Sequence, residues 1–201
     1  MATVDFIYGL GSRYSYLAAS QLDRITRQTG ATFLWRAIDS SVLTSRRRHD
    51  PFAPGGDGQY DWAYRRRDAE AWAAFYGVPY REPVGRLDYP RGLAPLAARA
   101  AGRQGAIEAM SRCIFGLIFI DDRASFGRED LIEAAEGLGL DVTRFARDLD
   151  DPALAREHED DIARAAAQGA FGVPTFVLED GRMFWGNDRL VLLEAALKGR
   201  L

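Results

Sequence analysis

The chain has 201 residues, 47% hydrophobic and 27% charged, enough apolar material for one sizeable core, and its net charge of −3 argues against bulk nucleic-acid binding. No stretch approaches the roughly 18 apolar residues of a membrane span, and the start lacks the basic segment and cleavage site of a signal peptide, so a cytoplasmic protein with no membrane partner is expected. A single cysteine, Cys113, excludes a Cys-x-x-Cys pair within these residues and with it dithiol redox chemistry.

In chain order, residues 4–8 alternate as a short strand, Gly9-Leu-Gly11 breaks it, and a helical pattern runs from there through Gln28. Ser12 or Ser15 therefore stands at a helix start, where a hydroxyl caps free N–H groups and backbone donors face any anion held alongside. After Thr29-Gly30, residues 32–35 read as a second strand. From about Ser40 to Gln168 the pattern is helical: 60–76, 92–102, 104–122, 128–138, a short piece over 142–149, and 151–168. Tyr64 and Asp68 share a face of the first of these helices, and Trp62, Trp72, Phe75 and Tyr76 offer it aromatic side chains for core or for an aromatic pocket. Residues 49–58 are glycine-rich and serve either as a lid or as a slack connector; the runs Arg46-Arg47-Arg48 and Arg65-Arg66-Arg67 read as solvated faces. Cys113 lies in an apolar helical run, where a thiol packs as a small hydrophobe, and His158, among Arg156-Glu-His-Glu-Asp-Asp161, reads as part of a solvated acidic face; no metal site is expected.

Gly169-Ala-Phe-Gly-Val-Pro174-Thr-Phe-Val-Leu178 sets a proline at the mouth of a strand that otherwise reads as buried. Proline lacks a ladder donor, so it belongs at the strand's first residue. Val173-Pro174 is a candidate cis bond, which turns the Val173 N–H and C=O outward as a pairing edge for an extended, peptide-like ligand; an ordinary trans edge proline is the alternative. A Glu179-Asp180-Gly181 turn, a strand over 182–185 and a closing helix follow. Asn187 and Asp188 ahead of that helix offer a ligand an acidic partner and N–H donors, or act as plain N-caps.

Taken together, Ser12-Arg-Tyr-Ser-Tyr-Leu-Ala18, Gly169-Ala-Phe-Gly-Val-Pro-Thr175 and Phe184-Trp-Gly-Asn-Asp-Arg-Leu190 resemble the 2-hydroxychromene-2-carboxylate isomerase family, a relative of kappa-class glutathione transferases and disulfide-bond oxidoreductases. Tyr64, Asp68, Trp72 and Tyr76-Gly-Val-Pro79 follow the family's rhythm, so the likeness covers the whole chain. It implies an α/β fold: a thioredoxin-like domain from residues 1–39 and 169–201, an all-helical insertion over 40–168, and glutathione held between them. By that resemblance Ser12 stands where thiol-using members keep a cysteine and donates to the sulfur of bound glutathione, while Val173, Pro174, Asn187 and Asp188 hold the rest of the cofactor. The implied reaction is reversible addition of the thiolate to a conjugated, aromatic-derived anionic substrate.

This sequence departs from the family at its insertion lysine and asparagine, since Lys198 is the only lysine and Ser45-Arg46-Arg47-Arg48-His49 occupies that place. One of Arg46, Arg47 and Arg48 is therefore expected to hold the substrate carboxylate, with Tyr64 bordering the pocket and His49 as a general acid or base. Arg13 replaces a proline usual between the two serines. A kappa-like glutathione transferase or peroxidase acting on other electrophiles, and a non-catalytic ligand-binding relative, are the competing expectations. Whether subunits pair as a homodimer stays open.

Overall fold

Strand β1, Thr3–Tyr8, lies parallel to β2, Thr32–Ala37, with Phe6 opposite Trp35, in a computed structural model that describes residues 1–45, 62–82, 92–121, 123 and 125–201. A parallel pair needs a crossover, and α1, Arg13–Ala19, and α2, Leu22–Thr29, supply it. The sequence predicts one helix through Gln28, but the chain turns at Ser20-Gln21. There the Ser20 hydroxyl donates to Leu17 O at 2.6 Å and the Gln21 N–H reaches back to Ala18 O at 3.0 Å, competing with the regular ladder. Gly30, at φ 72°, ends α2 in the left-handed conformation a side chain would resist.

All elements described between β2 and the next strand are helices: α3 Ser40–Ser45, α4 Trp62–Tyr76, α5 Leu93–Gly102, α6 Ile107–Phe119, α7 Arg128–Gly137, α8 Val142–Leu149 and α9 Pro152–Ala167. Helix α6 starts later than the expected residue 104 because Gly105, at φ 78°, breaks the pattern. Strand β3, Thr175–Leu178, then runs antiparallel to β1, and β4, Met183–Trp185, antiparallel to β3, giving a sheet in the order β2-β1-β3-β4. A 3-10 turn, Asn187–Arg189, leads into α10, Leu190–Leu197.

Side chains alternate across the pleat, so the two sheet faces build separate apolar clusters. Phe6, Tyr8, Trp35 and Phe176 face one side and pack with Leu17 and Ile25 of α1 and α2 and with Ala97, Ile114, Phe115, Leu131 and Phe145 of α5 to α8. Phe6 stacks on Tyr8 at 4.7 Å and on Phe176 at 5.1 Å between centroids. Ile7 and Val177 face the other side, under Ile38 and Leu43 and the α9 residues Ile162 and Ala165. Each such fully buried side chain contributes about 1.5–3 kcal/mol.

His158 corrects one expectation. It is only 8% exposed, in the α9 stripe Leu154, His158, Asp161, Ile162, Ala165 that faces inward, and its Nε2 accepts the Asp39 N–H at 3.0 Å. Its acidic neighbours Glu157, Glu159 and Asp160 point to solvent, and they dominate the local composition that suggested a solvated face.

Candidate active site

The C-terminal end of β1 and the N-terminal end of β3 are adjacent because the strands run antiparallel, with Ile7 opposite Thr175. The Gly9–Ser12 turn and the loop before Thr175 therefore meet at one end of the sheet. A Cβ on Gly9 would lie 3.3 Å from Val173 Cγ2 and 2.9 Å from Ser40 Oγ, so the close approach requires glycine there.

The two serines take different parts in this turn. Ser15 is fully buried, and its Oγ accepts the Gly9 N–H at 3.4 Å while the Gly9 carbonyl accepts the Ser12 N–H at 3.0 Å, bracing the turn from both sides. Ser12 is the half-buried N-cap of α1: its Oγ accepts the Ser15 N–H at 3.2 Å. Its own proton has no acceptor among the described residues, and no carboxylate or imidazole among them bonds to it as a base. The Ser12 hydroxyl can donate outward.

The Val173–Pro174 bond is cis. Thr175 Oγ1 donates to Gly172 O at 2.7 Å and the Gly186 N–H to Pro174 O at 2.9 Å, tying the loop to the end of β4. Neither the N–H nor the C=O of Val173 has a partner among the described residues. Just past β4, Asn187 is 4% exposed, its backbone carbonyl accepts the Tyr76 hydroxyl at 3.2 Å, and its buried Nδ2 has no partner among the described residues. The Asp188 carboxylate is half exposed and folds back over Gly186, where a Cβ would stand 2.3 Å from Oδ1. Neither side chain caps a helix, which removes the alternative of plain N-caps.

Three side chains of α1 clamp it to the insertion. Arg13 Nη2 lies 2.7 Å from Glu82 Oε1 with both side chains 9% exposed; the Tyr14 hydroxyl donates to Asp68 Oδ2 at 2.8 Å; and the Tyr16 hydroxyl donates to Pro79 O. Burial first, and then the Asp68 carboxylate, push the Tyr14 phenol above its ordinary range. Arg13 is thus a buried cation paired with the insertion.

Sequence reasoning brought Ser12, Val173, Pro174, Asn187 and Asp188 to one end of the sheet. Tyr64 is 61% exposed, one turn before Asp68. Arg46, Arg47, Arg48 and His49, with the whole of 49–58, lie outside the described residues. The run 65–67 is less solvated than expected: Arg65 covers the Tyr14 ring at 5.5 Å and Arg66 lies 3.8 Å from Glu82, leaving Arg67 exposed. Of the α4 aromatics, Trp72 and Tyr76 pack on the main core whereas Phe75 is 78% exposed. Lys198 caps the far helix, 3.5 Å from Glu194 Oε2. Glu82 carried no signal beyond an acid near a proline, and Trp185 appeared only as part of the Phe184–Leu190 motif, with no role of its own. Cys113 is half-buried and burial pushes its thiol up, so it stays protonated.

The profile of DSBA-like thioredoxin domains matches residues 3–198, and a 2-hydroxychromene-2-carboxylate isomerase from Sphingobium xenophagum is 32% identical over 97% of this chain and 97% of its own length. The chain belongs to the DsbA-like thioredoxin family, in its 2-hydroxychromene-2-carboxylate isomerase branch. A solved 2-hydroxychromene-2-carboxylate isomerase superposes with a TM-score of 0.82 at 27% identity, covering 98% of this chain and 95% of that one. A probable DsbA oxidoreductase from Streptomyces coelicolor shares the fold, with a TM-score of 0.76 at 23% identity over 100% of this chain and 92% of that one. A disulfide formed within one domain takes two thiols. This family member has one, set in α6, and at the start of α1 it has a hydroxyl.

Proposed function

We propose that this protein is a glutathione-dependent isomerase of the 2-hydroxychromene-2-carboxylate type, acting on an aromatic-derived anionic substrate. The observation that carries the reading is the Ser12 hydroxyl, with a proton to give and no acceptor among the described residues, on a turn that abuts the side chain of Val173, whose own N–H and C=O have no partner among those residues. A γ-glutamyl peptide fits that pattern: its amides complement the Val173 edge, its ammonium the Asp188 carboxylate, and an acceptor oxygen the buried Asn187 Nδ2. The names of the relatives support isomerisation as the reaction.

Glutathione, when bound, would supply a thiolate for reversible addition to a conjugated double bond, a route to isomerisation with no net oxidation. The Ser12 hydroxyl donates toward the sulfur and favours its ionised form, a task that needs no base beside it. Ser15 and Gly9 hold that hydroxyl in place. One of Arg46, Arg47 and Arg48 holds the substrate carboxylate, Tyr64 borders it and His49 exchanges protons with it.

Calorimetry with glutathione, followed by conversion of a 2-hydroxychromene-2-carboxylate with and without glutathione, tests the reading. Saturable glutathione binding and conversion that requires it are expected. Binding without conversion would reduce the protein to a ligand-binding relative, and absence of binding would reject the site.

A further inference from the structure

The end of β4 carries an aromatic side chain that the account so far leaves idle. Trp185 is 37% exposed, yet it is not a stray surface residue. Its ring stands against Phe171 at 4.7 Å between centroids with an interplanar angle of 56°, and its Nε1 would be 2.8 Å from a Cβ on Gly172. The indole therefore lies against the main chain immediately before Val173, and the lack of a side chain at 172 admits it. One residue further along, the Asp188 carboxylate folds over Gly186. Around the loop that carries the Val173 edge, the indole stands against Gly172, and Gly186, bonded to Pro174 O, carries the Asp188 carboxylate over it.

An extended chain that reaches from the Val173 edge to the Asp188 carboxylate runs beside the end of β4, where the indole stands. In glutathione that stretch is the γ-glutamyl arm, whose methylene groups have no hydrogen bonds to make and gain from an apolar wall. Resting on the proposed glutathione site, we infer that Trp185, backed by Phe171, is a specificity-determining wall for the γ-glutamyl arm, selecting a γ-glutamyl thiol over a thiol that lacks this arm. An aromatic ring held by a packed neighbour loses little conformational freedom on binding, which suits such a wall.

The test measures binding by calorimetry and by tryptophan emission, with glutathione and with cysteinylglycine, which lacks the arm. Glutathione should change the parent's emission. Trp185→Phe should keep the affinity within about twofold, because an aromatic face remains, and should lose that emission change. Trp185→Ala should weaken glutathione by about tenfold, equivalent to ~1.4 kcal/mol, and leave cysteinylglycine unaltered. An unchanged glutathione affinity in Trp185→Ala, or an equal loss for both thiols, overturns the wall and leaves the glutathione site standing. A parent that does not bind glutathione overturns both. If dichroism shows Trp185→Ala unfolded, the emission of the folded Trp185→Phe variant decides: retention of the parent's change overturns the wall, and its loss at retained affinity supports it.

Discussion

At the scale of single residues, Ser12 and Ser15 show how one motif divides its labour by burial. Ser15 is spent inside the turn, whereas the Ser12 proton has no acceptor among the described residues. Ser12→Ala should raise the pKa of bound glutathione's thiol by about one unit, equivalent to ~1.4 kcal/mol and within reach of one hydrogen bond to a charged sulfur. Thiolate absorbance against pH measures it, and an unchanged titration rejects the donor role. The same variant should lose only about 1 kcal/mol of stability, the cost of one cap. His158 gives a second prediction. Burial, and next the Arg99 guanidinium, hold its pKa below the ordinary 6.5, against the opposing pull of Asp39, Asp161 and Glu159. The unfolded chain then binds the proton more readily, so this contribution to stability is complete above pH 6.5 and is lost as pH falls from there toward the folded value. The Tm of the parent should fall on acidification toward about pH 5 more steeply than that of His158→Gln, which has no such proton to take up. Parallel curves would show that His158 titrates alike in both states.

At the scale of elements, α1 is a seven-residue helix held by its contacts more than by its own ladder. The Arg13–Glu82 pair is the most buried of its clamps. Removing one partner of a buried pair strands the other, so Arg13→Ala should cost about 3 kcal/mol in urea unfolding. Adding Glu82→Leu should recover part of that loss, because the stranded carboxylate goes with it. Strictly additive losses would mean that Tyr80, whose hydroxyl donates to Glu82 at 3.1 Å, and Arg66 already satisfy the carboxylate. The arginine itself was visible in the sequence. Its partner, 69 positions away (82 − 13), was not, because periodicity reports the face a residue occupies and not which charge it meets there.

At the scale of the whole molecule, the larger apolar cluster joins Phe6 and Phe176 of the sheet to Ile114, Phe115 and Phe145 of the insertion helices. A core shared in this way should melt as one unit. Phe6→Ala should cost about 3–5 kcal/mol and shift the near-ultraviolet and far-ultraviolet dichroism transitions together. Two separated transitions would instead support a division at residues 39/40 and 168/169 into independently folding parts.

Much of the architecture was legible in local patterns: strand alternation in 4–8, glycine stops at Gly30 and Gly181, and proline at the first position before Thr175 each follow from backbone sterics and pleat geometry that neighbouring residues decide. The motif positions Ser12, Val173, Asn187 and Asp188 were legible for the same reason, as residues at element ends where side chains and backbone groups are left over. What lay beyond the sequence were relations between distant segments. The burial of His158 against the Asp39 N–H, the pairing of Arg13 with Glu82, and the seating of Trp185 on Gly172 depend on which helix covers which sheet face and how closely two backbones approach. Those are decided only when the whole chain packs, because burial assigns each charge and ring its partner after the elements have formed.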